Sequence, residues 1–95
     1  MMIDLRMNKG HPLVKGWYRT GNLNGKVIYR YWLGDVWSQG ITTDTSIEDV
    51  LKYGLKRSIL SATVVWHSID KFPEFLEPLS DELVLKLTSV DVNNP

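Results

Sequence analysis

The sequence predicts an α+β fold: a small antiparallel sheet, built from an N-terminal three-stranded meander plus one or two later strands, packed by one short helix and one C-terminal helix. Three observations point there. Residues 14–20 and 26–33 are rich in Trp, Tyr and Val, and turn chemistry lies between them. Thr45 and Glu48 stand at capping-box spacing ahead of a short apolar stripe. Ser80, with Asp81 and Glu82 behind it, opens a leucine-rich segment in the manner of a helix start.

Residues 1–13 read as a lead-in, with Ile3, Leu5 and Met7 alternating weakly and a turn at Asn8-Lys9-Gly10-His11-Pro12. In residues 26–33, Val27, Tyr29, Tyr31 and Leu33 fall on one face, and Lys26, Ile28, Arg30 and Trp32 on the other. Gly21-Asn22-Leu23-Asn24-Gly25 reads as a loop whose Asn24-Gly25 pair supplies the hairpin turn. Gly34-Asp35 then turns the chain into Val36-Trp37-Ser38, the third strand of the meander. Thr45 should cap a two-turn helix with Ile47, Val50 and Leu51 as its inner stripe and Gly54 just past its end. Strand character returns over residues 55–69, as one bent strand or as a hairpin. Pro73 and Pro78 enclose an aromatic and acidic loop, and Leu83, Leu87 and Val90 form the stripe of the last helix. A strand is its rival, because Leu83, Leu85 and Leu87 also alternate. The 95 residues form one domain with its core over about 14–90 and a tail at 91–95.

Composition narrows the function classes. Eleven basic and eleven acidic side chains cancel, which argues against a dedicated nucleic-acid coat. Residues 1–45 carry six basic and three acidic groups and residues 46–95 five and eight, so a basic half faces an acidic half. No apolar run approaches the ~18 residues a membrane span needs, and the charged start does not resemble a signal segment. With no cysteine, disulfides and thiolate chemistry drop out, and His11 and His67 lack the spacing of a zinc site. His67, Ser68 and Asp70 can be written as a nucleophile and base set, but neighbours on a strand point to opposite faces. The carboxylate pairs Glu48/Asp49 and Asp81/Glu82 belong to helix starts, and Glu74/Glu77 to a solvated loop. No phosphate-cradling glycine pattern is present. A non-enzymatic, cofactor-free, cytoplasmic domain is therefore expected.

The aromatic cluster is the candidate site. Trp17, Tyr18, Tyr29, Tyr31, Trp32 and Trp37 crowd the meander among Lys15, Arg19, Lys26 and Arg30. Most of these rings must be core, since each buries roughly 150–250 Å². The sheet nevertheless carries large rings on both faces, and the second, bearing Trp17, Ile28 and Trp32 with Arg19 and Arg30 near by, either meets a second layer or is exposed. Rings rimmed by arginine have the composition of an interface. Trp17, Arg19, Arg30, Trp32 and Trp37 are the expected partner-binding residues, with Phe72 and Phe75 as a second patch. The same face suits stacking on single-stranded nucleic acid as an alternative, or closure of a homodimer.

The run Gly16-Trp17-Tyr18-Arg19, then Tyr31-Trp32-Leu33-Gly34-Asp35-Val36-Trp37-Ser38, then Val65-Trp66-His67 ahead of residues 72–78, resembles small Trp-rich accessory proteins of tailed bacteriophages and prophages. The resemblance covers about residues 16–78. It implies an accessory protein that works in the bacterial cytoplasm by binding, and modulating or blocking, a host protein. It supplies no catalytic residue.

Overall fold

The computed structural model describes residues 11–58 and 64–89. The lead-in at 1–10, the middle of the later strand region at 59–63, and residues 90–95, including Val90, lie outside the described residues. The fold is small α+β. In chain order it comprises β1 (Gly16–Leu23), β2 (Lys26–Trp32), α1 (Ile47–Tyr53), a single 3-10 turn at Glu74–Leu76, and α2 (Asp81–Ser89). None of the described helices is long and apolar enough to cross a membrane.

β1 and β2 form one antiparallel hairpin. Its turn is only two residues long. Asn24 and Gly25 both take positive φ, 52° and 82°, the conformation whose twist matches the flanking strands. The expected five-residue loop is thus mostly strand. It looks like a loop in sequence because β1 carries a bulge: Arg19 pairs with Tyr29 and Asn22 with Val27, so Thr20 and Gly21 together oppose Ile28. The Thr20 hydroxyl secures the bulge by donating to the Ile28 carbonyl at 3.3 Å. Gly21 tolerates its φ of 142°, where a side chain would be strained.

The third strand of the meander does not form as a strand. The chain turns tightly, with Leu33 N–H donating to Val36 C=O, and then follows the free edge of β2 through isolated bridges, Trp32 with Trp37 and Tyr29 with Ile41. A side chain interrupts the ladder between them. The Ser38 hydroxyl, not a main-chain carbonyl, accepts the Tyr31 N–H at 2.9 Å. Among the described residues the later strand region meets the sheet through isolated bridges at opposite margins: Arg57 beside Ser38, and His67 beside Arg19 on the outer edge of β1.

Both helices form where expected, with corrected detail. Ser46, not Thr45, caps α1, its Oγ accepting from Asp49 N–H at 3.2 Å. Thr45 instead accepts from Thr42 N–H and closes the preceding turn. Val50 is the buried position of α1 and Ile47 packs beside it, while Leu51 is exposed. Ser80 accepts from Leu83 N–H at 3.3 Å, and the segment after it is helix rather than strand. The buried side of α2 is Val84, Leu87 and Thr88, with Leu83 at its margin.

Two apolar clusters sandwich the hairpin. Directly opposed residues share a face, so Trp17, Tyr29, Tyr31 and Arg19 lie on one side and Tyr18, Ile28, Arg30 and Trp32 on the other. The first side meets the helical layer, where Trp17, Tyr31 and Leu33 pack with Ile41, Val50, Leu55, Leu76, Leu79, Val84 and Leu87. The second is covered by loops, where Trp32, Trp37 and Val64 form a small cluster with Tyr18 and Trp66 against it.

Candidate functional site

Of the two alternatives for the aromatic face, the second layer is the one that forms. Trp17 is 8% exposed, Trp32 3% and Trp37 0%. From these positions none of the three can stack on a base or fill a pocket on another protein. The faces were also grouped differently: Trp17 opposes Tyr31, not Trp32. Its indole N–H donates to the Leu79 carbonyl at 3.4 Å and its ring meets Tyr31 edge-on, 5.4 Å between centroids. Trp32 lies between the Trp37 ring at 5.0 Å and a stacked His11 at 4.6 Å. Trp66 is half-buried and meets Tyr18 edge-on at 4.9 Å.

The remaining expected site residues divide. Arg30 is spoken for: its Nη1 donates to the Ser38 carbonyl at 3.1 Å, its guanidinium lies against Gly40, and burial lowers its pKa from the ordinary arginine value. Phe75 is half-buried against Tyr29, 5.7 Å between centroids, and serves the helical-side cluster. Phe72 is exposed at 44%. Arg19 is the exception among the charged residues of the hairpin.

Arg19 sits at the bulge. Its main chain forms a reciprocal bridge with His67, with N–H to O distances of 3.0 and 2.8 Å in the two directions, so the two side chains stand side by side on one face. The bulge then adds a third group. Without the extra residue Asn22 would point to the opposite face from Arg19. With it, Asn22 sits across from Val27 as Arg19 sits across from Tyr29, and Val27 and Tyr29 share a face. Arg19, Asn22 and His67 therefore converge, and with Gly21 and Val27 they line a notch of about 250 Å³.

The electrostatics of the notch are one-sided. Among the described residues no carboxylate lines it and none pairs with Arg19. The Arg19 Nε is buried and has no hydrogen-bond acceptor. Ser68 and Asp70, next to His67 in the chain, are both exposed. Elsewhere opposite charges meet: Lys26 with Asp44 at 3.9 Å, and Arg57 with Asp35 at 3.5 Å. A second cleft of about 270 Å³ beside α1 carries Asp49 and Lys56 together on its walls and is balanced within itself. Among the described residues no three metal-ligating side chains gather.

Arg19 was in the expected set, but for its place beside Trp17 and Trp32, which the fold does not share. Asn22 was missed, and His67 was weighed as a catalytic base and as a metal ligand but not as a binding residue. The available signal was Gly21, an isolated glycine between two strand patterns, which is the mark of a bulge that re-aims its neighbours. No family model matches the chain, and neither a curated protein nor a solved structure is significantly similar to it.

Proposed function

We propose that the domain is a non-enzymatic protein-binding module, an accessory protein of the tailed-phage kind that modulates or inhibits a host bacterial protein in the cytoplasm. One observation carries this reading: the Arg19 notch holds a half-buried guanidinium that no carboxylate answers among the described residues. A buried charge without a partner is costly, by several kcal/mol where it is fully enclosed. Keeping one at the edge of a cleft is economical when a partner completes it. The exposed Phe72 offers apolar area for the same encounter.

The test is capture from bacterial lysate on the immobilised domain, comparing the wild type with Arg19→Gln. A host protein should be retained by the wild type and lost by the variant, with both melting cooperatively at the same temperature within about 2 °C. An empty wild-type column would end the reading. Salt-sensitive quenching of tryptophan fluorescence by single-stranded oligonucleotides would replace it with the nucleic-acid alternative. A concentration-dependent dimer in sedimentation, lost in Arg19→Gln, would make a second copy the occupant.

A further inference from the structure

We infer that the notch formed by Arg19, Asn22 and His67 recognises a carboxylate, presented by an acidic side chain or chain end of the bound protein; this rests on the protein-binding reading above. The argument begins with the donors. A guanidinium is a planar fork of N–H groups that matches the two oxygens of a carboxylate, and it donates without ever accepting. Nε is sealed within the fold without an acceptor, and the remainder of the fork lines the notch, where an incoming carboxylate can reach it. Asn22 adds an amide NH₂ and His67 an imidazole, which reach the same space because the bulge and the bridge put all three on one face. Val27 forms an apolar wall, which strengthens a charge-assisted hydrogen bond by excluding water.

Charge decides between the common oxyanions. Among the described residues Arg19 is the only lysine or arginine lining the notch. Lys26, at the end of β2, is turned to Asp44, and Arg57 to Asp35. One fixed positive charge balances a monoanion such as a carboxylate and leaves a phosphate partly uncompensated. Phosphate sites commonly draw on several cations, and among the described residues lining the notch Arg19 alone carries a fixed one.

The experiment follows the Arg19 Nε–H signal and the amide signals of residues 21, 22 and 67 by NMR in the isotope-labelled chain. Sodium acetate, sodium phosphate and sodium chloride are added at matched ionic strength and neutral pH. Acetate should give a saturable shift at those signals that chloride does not, and phosphate should bind at least threefold more weakly. Arg19→Gln should weaken acetate binding by about tenfold or more. Asn22→Asp, on an exposed residue, should abolish it by placing a carboxylate inside the notch while leaving the fold intact. Phosphate binding more tightly than acetate, or acetate shifts that survive Arg19→Gln, would overturn the inference, as would no saturable shift at all. The two readings fail separately. Arg19-dependent capture of a host protein without acetate binding would remove the carboxylate alone, and acetate binding without any captured protein would remove the host partner alone.

Discussion

The two faces of the hairpin bury similar rings under different covers. On the helical side, Trp17 and Tyr31 meet side chains from α1, α2 and the 3-10 turn, and their polar atoms are answered. The Trp17 N–H reaches Leu79, and the Tyr31 hydroxyl bonds the Asp81 carboxylate at the start of α2. On the loop side, Trp32 and Trp37 are equally sealed, but the cover is Val64, Trp66, Tyr18 and a stacked His11. There the indole N–H groups of Trp37 and Trp66 are buried without acceptors. A helix start presents an acidic residue and a turn presents free carbonyls, so a ring beneath them finds a partner. A cover made mostly of other aromatic rings supplies area but few acceptors. Ring burial alone therefore does not equalise the two faces.

The largest expected effect tests whether both covers are structural. Trp17→Ala and Trp37→Ala should each lower unfolding stability by about 3–5 kcal/mol in denaturant melts, the usual range for emptying a large aromatic site. A loss under about 1 kcal/mol for Trp37→Ala would break the comparison and make the loop side a loose covering. Next in size is a pH effect whose main source is the helical side, since burial also raises the Tyr18 phenol on the loop side but by less. Burial first, then the Asp81 charge and hydrogen bond, push the Tyr31 phenol up to about 12 from an ordinary 10.0. The neutral phenol is thus favoured by folding. Its contribution is whole below pH 10 and disappears as the pH rises through about 12, a loss of at most ~3 kcal/mol. Urea melts between pH 8 and 12 should show this decline, and Tyr31→Phe should flatten most of it. The smallest effect separates the indoles themselves. Trp17→Phe removes an answered N–H and Trp37→Phe an unanswered one, so the first should cost more, by about 1 kcal/mol after matching for ring area. Equal costs would mean that the Leu79 bond contributes nothing.

Local chemistry was the legible part of this chain. Asn24-Gly25 turns the hairpin, Ser80 caps α2, and the face alternation of β2 holds from Val27 to Leu33. The α1 cap was ambiguous for a physical reason: Thr45 with Glu48 and Ser46 with Asp49 present the same spacing one residue apart, and the turn that binds Thr45 to Thr42 decides between them. The third strand was over-read because alternation does not reveal that the Ser38 hydroxyl will take a ladder hydrogen bond. The site was the least legible. A two-residue turn extended back without interruption would place Trp17 across from Trp32, on the face with which the sequence reading grouped it. The single extra residue at Thr20-Gly21 moves every partner upstream by one.

That extra residue makes the hairpin unusually sensitive to length. Removing Gly21 would leave the turn, both strands' composition and the total ring content almost unchanged. It would nevertheless rotate Trp17, Tyr18 and Arg19 half a turn against β2, sending an indole out of the helical core and a guanidinium to the other side of the sheet. Between relatives of this chain, a one-residue deletion in the first strand should therefore be rarer than almost any substitution there.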